Sequence, residues 1–271
     1  MNVLAFESEP LFQIQFLNAG RRSGEFTTDL LPIHQAKVDS LPDDLDAVIL
    51  TADLQGRERF QEAGGKPLRL LGEVLPDCLM KEVFPLLGLH DARRIGAVLA
   101  GDFYTVPGLD RRGGTGDVSA VWRAFGDPFA WVVGVAGNHD TFGEGQQTRP
   151  RFSSPFHFLD GTSVALSGLR VAGVSGIVGN PSRIQRRTEE DFLFQVEWVL
   201  EETPDLLVMH DGPEGTERGQ RGSSRVRLLL ERKAPTLVVR GHAHWQHPFA
   251  ELENGTQIVN VDARVVILVR H

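Results

Sequence analysis

Cysteine is almost absent from the 271-residue chain. Cys78 is the single one, which excludes an internal disulfide and any zinc or iron–sulfur site built from thiolates. A reduced, cytoplasmic setting is the matching expectation. Long hydrophobic runs are missing too: none approaches the roughly 18 apolar residues that a membrane span needs. The first residues carry no basic charge and meet Glu7 and Glu9 early, which does not fit a secretory leader. Positive charge is in deficit, with a net charge of −8, so the molecule repels polyanions at long range. Nucleic acid is therefore not the favoured partner. No repeat, low-complexity tract or linker divides the chain. A single domain over 1–271 is expected, with 1–45 as an N-terminal extension ahead of the first motif strand.

What is there is a recurring unit, a short buried-looking apolar run that ends in polar residues. Ala47–Leu50 leads to Asp53, Gly96–Ala100 to Gly101-Asp102, and Trp131–Ala136 to Gly137-Asn138-His139-Asp140. Leu206–Met209 leads to His210-Asp211, and Thr236–Arg240 to Gly241-His242-Ala243-His244. Such runs read as strands buried on both faces, and sites in α/β folds form beyond the carboxyl ends of their strands. Thr188-Glu189-Glu190-Asp191 reads as a helix start, with 73–93 and 117–126 as further helical stretches. Phe12, Ile14 and Phe16 alternate with Gln13 and Gln15, the pattern of an additional strand or hairpin. Ser163–Gly176 and Ala250–Val269 read as antiparallel strands, the second turning at Asn254-Gly255. Oxygen and imidazole donors without thiolate suit Mn, Fe, Zn or Ni better than calcium.

The order of these five motifs resembles the calcineurin-like metallophosphoesterase superfamily. That resemblance implies an α/β sandwich of two mixed sheets flanked by helices, four layers in the order αββα. It also implies two divalent cations, with Mn first and Fe, Zn, Ni or Mg as alternatives. By position the first would take Asp53, Gln55, Asp102 and His244; the second would take Asp102, Asn138, His210 and His242. His139 would protonate the leaving group, with Asp140 holding its ring. A water activated between the cations would attack phosphorus in line. The motifs that mark protein phosphatases of the superfamily are missing: Gly101-Asp102 is followed by Phe103-Tyr104-Thr105, and Ala136 precedes Gly137. The resemblance therefore implies hydrolysis of a phosphodiester ahead of a monoester, with a small phosphorylated substrate or nucleotide as partner.

One position departs from the pattern. Gln55 stands where the superfamily has His, a weaker and harder donor that lowers the expected affinity of the first cation. It also motivates an alternative reading, a regulatory binding protein on the same fold; a nuclease acting on DNA or RNA ends is a third. Arg57, Arg183 and Arg187 are the candidate phosphate donors, with Arg186 beside them, and Tyr104 or Trp245 could stack on a ring. The basic pairs Arg21-Arg22 and Arg111-Arg112 and the run from Arg218 to Arg227 read as solvated loops. His34, His90, His157, His247 and His271 read as surface.

Overall fold

The computed structural model describes residues 1–20, 22, 25–58, 68–145, 147–151 and 154–271. Arg21 lies outside them. Among the described residues no helix is long and apolar enough to cross a membrane.

The motif runs are strands because they are β-branched, apolar and too short for a stable helix, and every residue of Ala47–Ala52, Ile95–Leu99, Leu206–Met209 and Leu237–Arg240 is buried. Ala47–Ala52, Ile95–Leu99 and Trp131–Gly134 run parallel in one eight-stranded sheet. Leu206–Met209 and Leu237–Arg240 run parallel in a six-stranded sheet. Between the sheets lies an apolar layer that includes Leu50, Val98 and Val133 from the first and Val171, Val208 and Val239 from the second. Helices Leu71–Cys78 and Ser119–Gly126 cover the outer face of the first sheet. Helices Glu189–Leu200 and Ser224–Leu230 cover the outer face of the second. The result is the expected four-layer αββα sandwich. The Thr188 hydroxyl caps its helix by accepting the Asp191 amide at 3.1 Å.

Two expectations change in detail. The stretch 73–93 is not one α-helix: Leu71–Cys78 passes into a π turn at Leu79–Val83 and a 3-10 turn at Phe84–Leu87. Beyond the hairpin Phe249–Glu251/Gln257–Asn260, the chain does not stay in the second sheet: Arg264–Arg270 crosses to the first and pairs with Ala47–Ala52.

Residues 1–45, read as an N-terminal extension with an added strand or hairpin, join the first sheet. Phe12–Ala19 and Phe26–Val38 form a long hairpin, and Phe26–Val38 also runs parallel to Arg264–Arg270. Ile14, Phe16, Leu31 and Ile33 enter the core beneath the first helices. The hairpin thus extends the sheet and walls one side of the cleft described next.

Candidate metal centre

The five motif turns meet at the carboxyl ends of the parallel strands. Asp53, Asp102 and His242 each leave their strand in the left-handed region, at φ 56°, 60° and 67°. Non-glycine residues in that region are uncommon, and such backbone clusters at functional sites. The motif glycines are fixed by crowding: a Cβ on Gly137 would lie 2.1 Å from Asp102 Oδ1, and one on Gly241 2.4 Å from Asp53 Oδ2.

Asp102 sits at the centre. Its Oδ1 accepts the His139 amide at 2.8 Å, and its Oδ2 lies 3.3 Å from His210 Nε2. Donor atoms of Asp102, His210 and His242 fall within 4.8 Å of one another. His210 donates from Nδ1 to the Ala100 carbonyl at 2.8 Å, which leaves a lone pair on Nε2 aimed at the Asp102 carboxylate. Two electron-rich atoms facing each other in a buried site need a cation or a proton between them. Of the buried side-chain atoms without a hydrogen-bond partner, two are His210 Nε2 and Asn138 Oδ1, both donor atoms of the expected second cation. The residues present fit a divalent cation there. With no cation a proton serves: burial opposes charge on His210, but the Asp102 and Asp53 carboxylates push its pKa up to about 10. Burial, together with the His210 charge, holds the His242 pKa below the usual imidazole value.

The first position is built less well. Asp53 accepts the His242 amide at 2.9 Å, and burial pushes its carboxyl well above the usual range. Gln55 presents its amide nitrogen, not its oxygen, to Asp102 Oδ2 at 3.4 Å, so ligation requires the amide to turn over. His244 Nδ1 lies 3.2 Å from Asp262 Oδ1, a carboxylate–histidine pair that orients the ring. The buried Arg264 places Nη2 3.3 Å from both ring nitrogens of His244, a fixed positive charge beside the position.

His139 lines the same cleft, and its Nδ1 lies 3.4 Å from Thr115 Oγ1. Asp140 does not hold that ring. Its carboxylate, fully buried, accepts the amides of Asp102 at 2.7 Å, Phe103 at 3.0 Å and Gly137 at 2.9 Å. It is a positioning residue beneath Asp102, and burial beside the Asp102 charge raises its pKa to about 6.

The expected phosphate donors are elsewhere. Arg57 is buried and donates to the carbonyls of Val106, Leu68 and Thr105, strapping two loops together. Arg187 is engaged by Asp160 at 2.8 Å and by Gln195. Arg183 is exposed and Arg186 half-buried, and neither lines the cleft. Tyr104 packs against Gly116, where a Cβ would lie 2.2 Å from its ring, and Trp245 is fully buried. The cleft, of about 850 Å³, is lined instead by Phe16, Asn18, Thr28, Asp29, Leu30 and Pro32 of the hairpin, by Arg112, and by Asp262. Asp262 follows the run Ile258–Val261, so the strand-end rule that found the other carboxylates also marks it.

A family model, calcineurin-like phosphoesterase, matches residues 27–246. No curated protein matches the chain. Among solved structures the chain resembles TT1561 of Thermus thermophilus at 14% identity and a TM-score of 0.51, covering 81% of this chain and 90% of that one. This is a likeness of fold. A second, AQ665 from Aquifex aeolicus, a protein of unknown function, aligns at 12% identity over 82% of this chain and 95% of that one, with a TM-score of 0.33 that supports no argument.

Proposed function

The chain belongs to the calcineurin-like phosphoesterase family, and on that premise we propose that it is a metal-dependent hydrolase of small phosphoesters. The observation that carries this reading is the pair of buried, unpartnered donor atoms Asn138 Oδ1 and His210 Nε2 beside the Asp102 carboxylate. Asp102, Asn138, His210 and His242 would hold one cation; Asp53, Asp102, His244 and a reoriented Gln55 would hold a second, more weakly. Bound divalent cations supply Lewis-acid polarisation of phosphoryl oxygens and acidify water. Mn is the proposed metal, because the amide and carboxylates of the first position favour a harder cation.

The chain's own residues do the rest. Asp140 fixes the Asp102 turn, and Asp102 in turn fixes the His139 backbone through the amide at 2.8 Å. The His139 ring faces the cleft, where a protonated nitrogen can give its proton to the departing alkoxide. Phe16, Leu30 and Pro32 add apolar surface to the hairpin wall of the cleft, beside the polar Asn18, Thr28 and Asp29. The proposed partner is a small phosphorylated molecule or nucleotide in the cytoplasm. The regulatory alternative, with its weakened first position, keeps the donor pair of the second, so turnover rather than metal binding separates the two readings. Hydrolysis of nitrophenyl phosphoesters by the purified protein, with and without added Mn, tests the reading. Metal-stimulated turnover lost in Asn138→Ala supports it, and absence of turnover with metal bound contradicts it.

A further inference from the structure

We infer that Arg112 is the side chain that grips the substrate's phosphoryl group, and that it selects a terminal, dianionic phosphate over a diester. The inference rests on the phosphoesterase reading above and adds the substrate class. Among the described residues lining the cleft, Arg112 is the single arginine or lysine, and it shares that lining with the carboxylates Asp29, Asp53, Asp102 and Asp262. Its backbone sits between the two working parts of the site. The next residue, Gly113, lies against the Gln55 amide, where a Cβ would stand 3.2 Å from Oε1. Three residues on from Arg112, Thr115 Oγ1 lies 3.4 Å from His139 Nδ1.

The guanidinium is only loosely engaged. It donates from Nε to the Ala19 carbonyl and from Nη2 to Asp29 Oδ2, both at 3.3 Å, and the side chain stays 65% exposed. A guanidinium has five N–H donors, so most of the fork is free for an oxyanion. An exposed ion pair with Asp29 stabilises little, so a phosphoryl oxygen can draw the side chain off the hairpin at small cost. Gln55 is the weaker donor, so the first cation position would be the less occupied, and the Arg112 charge would offset part of the positive charge missing there.

The choice of ester follows from counting oxygens. A diester at phosphorus has two non-bridging oxygens and one negative charge, and both oxygens are used when cations clamp the group. A monoester has three terminal oxygens and a second charge, which leaves one oxygen for Arg112.

The test uses the Mn-loaded full-length protein with p-nitrophenyl phosphate and bis(p-nitrophenyl) phosphate as the matched pair, and inorganic phosphate titrated by calorimetry. Arg112→Ala should raise KM for the monoester about tenfold more than for the diester and weaken phosphate binding about tenfold, the loss of one charge-assisted contact. Arg112→Lys should recover part of both losses by keeping the charge. Asp29→Asn, which removes the competing carboxylate, should lower KM for the monoester. If Arg112→Ala affects both esters equally, or leaves phosphate binding as in the wild type, the inference is overturned. If the wild type hydrolyses neither ester, the phosphoesterase reading fails, and the phosphate titration still decides the role of Arg112.

Discussion

The carboxylate of Asp140 accepts the backbone amide of Asp102 at 2.7 Å, deep in the protein, and so locks the third motif onto the second. Asp102 returns the contact by accepting the His139 amide at 2.8 Å. The left-handed turn at Asp102 and the loop that carries Asn138 and His139 are therefore one unit.

Removing the Asp140 carboxylate should be severe. Asp140→Ala leaves three buried amides unpaired, and at roughly 1 kcal/mol or more each it should destabilise the fold by about 3 kcal/mol or more. Asp140→Asn should also destabilise, because an NH2 then meets donor amides. Chemical denaturation measures the loss, and metal content should fall with it. An Asp140→Ala protein as stable as the wild type would show that the lock is not needed.

His139→Ala should keep its metal and lose turnover. The loss should be larger for an alkyl phosphoester than for a nitrophenyl ester, because a nitrophenolate leaves without a proton; general acid catalysis contributes roughly 10²- to 10⁴-fold. Steady-state rates on the two esters check this. Equal losses would remove His139 from the role of leaving-group acid.

Gln55→His should tighten the first cation position. Replacing the amide by an imidazole restores a strong donor, and a gain on the order of 10- to 100-fold in affinity is expected, by analogy with the effect of losing a supporting residue around a metal. In calorimetric titrations with Mn, the wild type should show one tight and one weak step, and the variant two tight steps. Identical titrations would mean that Gln55 ligates as well as His does, or not at all.

Two histidines outside the site set a dependence on pH. Among the surface readings, His34 proves to be buried, with Nδ1 3.1 Å from the Glu7 carbonyl, and His157 is half-buried. Burial holds both below the ordinary imidazole value of 6.5. At these two positions the unfolded chain binds more protons as pH falls below 6.5, so their contribution to stability falls on that side and vanishes well above it. His210, whose pKa rises to about 10, and the raised carboxyls of Asp53 and Asp140 pull stability the opposite way, so the two histidines are read by difference. From pH 7.5 to pH 5.5, about one pH unit either side of the imidazole pKa, the thermal midpoint of His34→Asn with His157→Asn should move upward relative to that of the wild type. An unchanged difference would assign the slope to other groups.

The sandwich and the gathering of the candidate metal donors were legible because the donor motifs follow short, largely apolar strands, and the carboxyl ends of parallel strands are brought together by the fold itself. Asp262 followed the same rule, but it lies outside the five motifs. The phosphate donors were not legible, because an arginine's task depends on what its long side chain reaches. Arg57 finds three carbonyls and becomes a strap, whereas Arg112, which reads as a solvated loop, stands in the cleft. The N-terminal hairpin shows the same limit. Its alternating Phe12, Ile14 and Phe16 announce a strand, but register with a strand more than 200 residues later decides that it walls the site.

Anomalous diffraction from crystals of the Mn-loaded protein tests the central claim most directly. The account predicts a strong peak enclosed by Asp102, Asn138, His210 and His242, and a weaker one beside Asp53, Gln55 and His244. Crystals with no peak in the Asp102–His210 cage, or with Mn bound only elsewhere, would contradict it.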